Sequence, residues 1–94
     1  TAVVCGNDNI AISVYDILSR TNESPGERIS GVGYDDMFYS RYLRPKLTTI
    51  RFPIVDMGIA AANMVLNSLD QDLTNGVQLE PSLVVRESTA APRS

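Results

Sequence analysis

The sequence predicts an α/β domain built on a parallel βαβ unit. A short β-branched run, Ala2-Val3-Val4-Cys5, ends at Gly6 and gives way to helical periodicity. A second short run, Ile29 to Gly33, comes within about thirty residues, the length of one strand-helix-strand crossover. A third stretch, Leu47-Thr48-Thr49-Ile50-Arg51, alternates in polarity as a strand does and precedes another helical pattern.

Each element has a local reason. Ala2 to Cys5 is continuously apolar, as expected of a strand buried on both faces. Asn7, Asp8 and Asn9 are all good helix caps, and Ile10, Val14, Ile17, Leu18 and Thr21 mark one face of a three-turn helix. Asn22 closes that helix in a left-handed conformation, and Pro25-Gly26 forces a loop. Met37 to Arg44 predicts a helical turn and an irregular segment that Pro45 ends. Pro53 opens a helix with Ile54, Met57 or Gly58, Ala61, Val65 and Leu69 on one face, kept thin by Gly58 and Ala60 to Ala62. Asn75-Gly76 reads as a turn. Val77 to Leu79 and Leu83 to Val85 read as strands separated by Pro81, which has no ladder donor. The tail from Thr89 to Ser94 is expected to fray.

Composition narrows the function. The 94 residues suit one small domain or a piece of a larger one, and 44% hydrophobic residues mark a globular chain. The start inside an apolar run, with no initiator methionine, is expected of a segment of a longer chain. No apolar run approaches a membrane span and no signal peptide opens the sequence. A formal charge of −3 argues against this segment gripping a phosphate backbone itself. With no histidine and one cysteine, neither an internal disulfide nor a His/Cys metal site is expected. Cys5 reads as a small buried hydrophobe.

Parallel strands deliver the residues just past their carboxyl ends to one sheet edge, where open α/β sheets bind ligands. Here that edge receives Asn7, Asp8 and Asn9 from the first strand and Tyr34, Asp35 and Asp36 from the second. Carboxylates and amides on rigid elements suit a neutral polyhydroxylated molecule, and the carboxylates would repel a phosphate. Asp8 and Asp36 read as helix-cap or turn residues, whereas Asp35 is poised between ligand contact and no role. A hard-cation site at Asp8, Asp35 and Asp36 lacks the regular spacing of oxygen-ligand loops. Gly31-Val32-Gly33-Tyr34-Asp35-Asp36 starts like a dinucleotide fingerprint but has Asp36 in place of its last glycine. No nucleophile-base pair is recognisable, so catalysis is not expected and no cofactor is implied.

In order, Cys5-Gly6-Asn7-Asp8, ISGVGYDD (Ile29 to Asp36), LTTIR (Leu47 to Arg51), Met57-Gly58 with Ala61-Ala62, and LVVREST (Leu83 to Thr89) form a series. It resembles the effector-binding core of the lactose-repressor/galactose-repressor transcription regulators along nearly the whole chain. The resemblance implies a periplasmic-binding-protein-like fold, two α/β lobes around a cleft, here present as a C-terminal fragment. Residues 1–50 and 82–94 would belong to the C-terminal lobe and 51–81 to the N-terminal lobe. Hinges would lie at Arg51 to Pro53 and Glu80 to Ser82.

By the same resemblance, Asn7 and Asp35 contact a small-molecule effector, a sugar or polyol. Tyr15, Tyr39 and Tyr42 are dimer-interface candidates in a homodimer. The protein would be cytoplasmic, have no membrane partner, and reach DNA only through an N-terminal headpiece that these residues do not include. The alternative is a secreted solute-binding protein of a sugar transporter with the same fold; the LVVRES ending favours the regulator. An enzyme using Asp35 as a base would need an acid partner from elsewhere. The sequence departs from the family pattern at Gly31 (a usual valine), Arg28 (a common acid), Pro25 (one place early), Lys46 (a common proline) and Phe52 (a common glutamine).

Overall fold

The computed structural model describes residues 1–68 and 76–92. Its elements run β1 (Ala2–Val4), α1 (Asp8–Ser19), β2 (Ser30–Val32), a 3₁₀ turn (Phe38–Arg41), β3 (Thr49–Arg51), α2 (Ile54–Ser68) and β4 (Ser82–Val84). The chain forms two compact units. One holds Thr1–Arg51 and the stretch from Ser82 onward, and the other holds the intervening residues from Phe52 to Pro81. Leu69, Asn75 and the last two residues of the tail, all invoked from the sequence, lie outside the described residues.

In the first unit β1 pairs with β2 in parallel, Ala2 opposite Ser30 and Val4 opposite Val32, with α1 as the crossover. A parallel bridge from Val32 to Thr48 continues the pairing toward β3. The Gly33 and Asp35 amides extend it, donating to the carbonyls of Thr48 (3.0 Å) and Ile50 (2.9 Å). β3 then pairs antiparallel with β4, Thr49 opposite Val84 and Arg51 opposite Ser82. The chain therefore leaves this unit after Arg51 and re-enters it at the residue paired with Arg51.

Asn7 sets the start of α1. Its backbone is extended and its side-chain oxygen accepts the Ile10 amide at 2.8 Å, which satisfies one orphan donor of the first turn. The helix closes on the Leu18 carbonyl, which takes the amides of Thr21 (3.0 Å) and Glu23 (2.9 Å), with Asn22 at φ 57°. That six-to-one bond over a left-handed residue is a Schellman closure. The helix turns Ala11, Val14, Tyr15 and Leu18 inward, and Cys5, Ala11 and Leu47 form the buried centre with Val14, Tyr15 and Leu43 against it. Ile10 and Ile17 of the predicted face point outward. In the second unit Pro53 precedes α2 and accepts the Met57 amide at 2.9 Å. None of the described α2 residues is buried.

Three expectations are corrected. Ala2–Val4 is exposed rather than buried on both faces, with Val4 79% accessible, because burial on both faces needs elements packed over each face of the strand, and among the described residues the sheet partner of β1 is β2. Val77 to Leu79 forms no strand; an extended segment needs a ladder partner, and β4 finds its own in β3. The tail is tied down as far as Ala90, whose amide donates to the Ser30 hydroxyl at 3.0 Å.

Candidate functional site

The carboxyl ends of β1 and β2 meet as their parallel register requires, and the Asp8 amide donates to the Tyr34 carbonyl at 2.9 Å. Asp8 is fully buried. Its Oδ2 accepts the Met37 amide at 2.7 Å and the Ser40 hydroxyl, and its Oδ1 accepts the Thr49 hydroxyl at 2.6 Å. Gly33 makes room for this carboxylate, since a β-carbon there would overlap Asp8 Oδ1 and stand 3.0 Å from Leu47.

The acid-bearing loop is consequently held through three successive amides. Asp35 donates to Ile50, Asp36 donates over a long 3.4 Å to the Thr49 hydroxyl, and Met37 donates to Asp8. Within it Asp35 and Asp36 both have positive φ, 111° and 52°, a conformation that costs an L residue about 1–3 kcal/mol and persists only where the surroundings impose it. The half-buried Asp35 carboxylate has no hydrogen-bond or ion-pair partner among the described residues.

The Asp36 carboxylate is engaged on both oxygens. Arg86 donates to Oδ1 at 2.7 Å and Arg51 donates to Oδ2 at 2.8 Å. Burial pushes this carboxyl up, but the hydrogen bonds from Arg86 and Arg51 outweigh burial and hold it below the usual carboxylate range. Arg86 also donates to the Leu47 carbonyl at 2.8 Å. Two residues on, the buried Ser88 hydroxyl donates to the Gly31 carbonyl and accepts the Thr48 amide. The LVVRES segment thus pins β2 and the LTTI stretch from one side.

The sequence-derived residues therefore divide. Asn7, expected at the ligand, is the α1 cap; its side-chain NH₂ has no partner among the described residues. Asp8, expected to cap, does not cap α1 because Asn7 already does, and its carboxylate joins three segments distant in sequence. Asp36 lies in the turn but caps nothing; Met37 is the N-cap residue of the 3₁₀ turn, with no side-chain cap, and both Asp36 oxygens are taken by arginines.

Among the tyrosines, the Tyr15 hydroxyl donates to the Pro45 carbonyl at 2.5 Å, and burial pushes its pKa up to about 12. The Tyr39 hydroxyl donates to Asn9 Oδ1. Burial and the negative charges of Asp8 and Asp35 raise the Tyr39 pKa. Tyr42 is 69% exposed. Gly33, Ser40, Thr49, Arg86 and Ser88 are assigned no role from the sequence, although all but Ser40 stand in its motif series. Alternation places Thr49 on the same strand face as Leu47.

The family model described as periplasmic binding protein-like domain matches residues 1–89. The chain belongs to this family. The arabinose metabolism transcriptional repressor of Halalkalibacterium halodurans is 40% identical across 100% of the chain and 27% of its own length. A LacI family transcriptional regulator from Enterococcus faecium, solved with bound ribose, superposes with a TM-score of 0.82 at 33% identity, over 96% of this chain and 34% of that one. The lac repressor dimer, solved with operator and the anti-inducer ONPF, superposes with a TM-score of 0.87 at 33% identity, over 97% and 32%. The chain thus spans about a quarter to a third of the length of these relatives. Its periplasmic-binding-protein-like α/β fold and its kinship with lactose-repressor/galactose-repressor regulators are those the motif series implied.

Proposed function

We propose that this segment is part of the effector-binding core of a dimeric, cytoplasmic DNA-binding transcription repressor that responds to a small molecule, a sugar. In this reading Asp35 accepts hydrogen bonds from adjacent hydroxyls of the effector, and the Asn7 amide donates beside it. The observation that carries it is the Asp35 carboxylate. It sits on the sheet edge where α/β folds bind ligands, on backbone held at positive φ, and it alone of the acids in that cluster lacks a protein partner among the described residues. Asp8 and Asp36 are both consumed by the fold. The relatives' arabinose and ribose associations support a sugar over other polyols.

The two compact units correspond, in the same reading, to parts of the C-terminal and N-terminal lobes, with hinges where the chain passes between them, at Arg51 to Pro53 and Glu80 to Ser82. Effector binding favours one lobe arrangement and so alters the geometry of DNA-reading headpieces carried outside these residues. No catalytic step is assigned, and among the described residues no helix is long and apolar enough to cross a membrane.

The test is a calorimetric and thermal-shift screen of the full-length protein against pentoses and hexoses, repeated with Asp35→Ala. The expected result is a sugar-dependent stabilisation that Asp35→Ala abolishes while operator binding without sugar persists. Equal sugar affinity in the variant would remove Asp35 from the site.

A further inference from the structure

We infer that Asp8 is the positioning residue of the effector site: it holds the Asp35 carboxylate in place without touching the ligand. This rests on the reading of Asp35 as an effector contact. Asp8 is fully buried, so no ligand reaches it. Its three acceptor contacts go to the segments that fix Asp35: the Met37 amide two residues on, the Ser40 hydroxyl of the next turn, and the Thr49 hydroxyl of β3. Thr49 relays the hold, because the hydroxyl that donates to Asp8 also accepts the amide of Asp36.

Positive φ at two successive aspartates is a conformation the isolated loop would leave. Asp8 supplies what opposes that relaxation, anchoring Met37 on the far side of the pair while the Ile50 carbonyl anchors Asp35 on the near side. Gly33 belongs to the same device, since any β-carbon there would displace the Asp8 carboxylate. A ligand contact must be held to within about half an ångström to be effective, and a buried carboxylate with three donors supplies such a fixture. An asparagine at position 8 keeps one acceptor oxygen in place of two and loses the charge, so the Met37 amide, Ser40 and Thr49 can no longer all donate to it and the fixture weakens.

The experiment uses the full-length protein with L-arabinose and D-ribose as probes, in calorimetric titration. For whichever sugar the unchanged protein binds, Asp8→Asn and Thr49→Val should each weaken affinity about ten-fold or more, and Thr49→Ser, which keeps the hydroxyl, should restore it to within about two-fold. Operator binding without sugar reports that each variant is folded. Asp35→Ala separates the two ideas. If it binds sugar normally, the effector-contact reading fails. If it loses binding while a folded Thr49→Val binds like the unchanged protein, the positioning role fails. Amide hydrogen exchange across residues 35–37 needs no sugar: Thr49→Val should speed exchange at Asp36 and Met37 by about ten-fold. Unchanged protection there overturns the inference whatever the titrations give.

Discussion

At the scale of single residues, Asp36 and Arg86 form an ion pair in which both partners leave water, with side chains 4% and 12% exposed. Removing Arg86 leaves Asp36 with Arg51 alone and takes the guanidinium donor from the Leu47 carbonyl, so Arg86→Met should destabilise by about 1–3 kcal/mol, read as a lower urea midpoint. Arg51 holds the other oxygen from a side chain 54% exposed, and Arg51→Met should cost under about 1 kcal/mol. The same acid sets a pH dependence. Its folded-state pKa is depressed by the two arginines against the opposing effect of burial. The stability it contributes is therefore complete above the unfolded-chain value of about 3.9 and is lost as pH falls through the lower folded value. Asp36→Asn should flatten the fall in urea midpoint below about pH 4. A fall as steep as in the unchanged protein would assign acid sensitivity to other carboxylates.

At the scale of elements, two departures from the family pattern meet in space. A β-carbon on Gly31 of β2 would stand 3.4 Å from the Pro25 side chain, which is itself buried. Alanine fits that gap, whereas the branched methyls of the family's valine overfill it. Gly31→Ala should stay within about 1 kcal/mol of the unchanged protein, and Gly31→Val should lose about 1–3 kcal/mol. Adding Pro25→Ala to the valine variant should return more than half of that loss. Strict additivity in the melting midpoints would show that the positions are independent. Such couplings mark the limit of what the sequence discloses. α1, β2, the LTTI strand and the start of α2 were legible because a cap, a closing Asn22, a proline or an alternation specifies each locally. That the carboxyl ends of β1 and β2 meet at one edge followed from parallel strands alone. Not legible were the partners of Asp8, which lie 29 to 41 residues away, or those of Arg86 and Ser88, up to 57 away. A carboxylate before a helix looks like a cap whether or not a distant threonine claims it. Val77 to Leu79 failed for the converse reason: its β-branched start favours extension, but strand formation depends on a neighbour that the residues themselves do not encode. On α1, hydrophobicity pointed to Ile10 and Ile17, yet the small Ala11 is the residue that sits against Cys5 and Leu47, because close approach to the sheet rewards small volume over apolarity.

At the scale of the whole molecule, the proposed homodimer needs a surface that folding has not already used, and the three tyrosines differ in this respect. Tyr15 is committed inward by its hydrogen bond to Pro45 and its packing on the core. Tyr39 is half-committed through Asn9 and an edge-to-face contact with Phe38, ring centroids 5.5 Å apart. Tyr42 has no side-chain hydrogen bond among the described residues and lies largely in water, as does Phe38 four residues earlier in the sequence. Aromatic anchors of this kind carry much of the energy of protein interfaces when a partner covers them. Tyr42 is therefore the tyrosine on which the dimer should depend. Tyr42→Asp should raise the dimer dissociation constant of the full-length protein by about thirty-fold or more, read by sedimentation across a concentration series. Its thermal midpoint, measured where both proteins are monomeric, should hardly move, because no intramolecular side-chain hydrogen bond is lost. Tyr15→Phe should behave in the opposite way: it removes the hydroxyl that satisfies the Pro45 carbonyl and lowers the midpoint, while association stays as tight as before. If Tyr42→Asp left the dimer intact and Tyr15→Phe dissolved it, the interface would have to be sought on α1 itself and the division of labour among the tyrosines would be reversed.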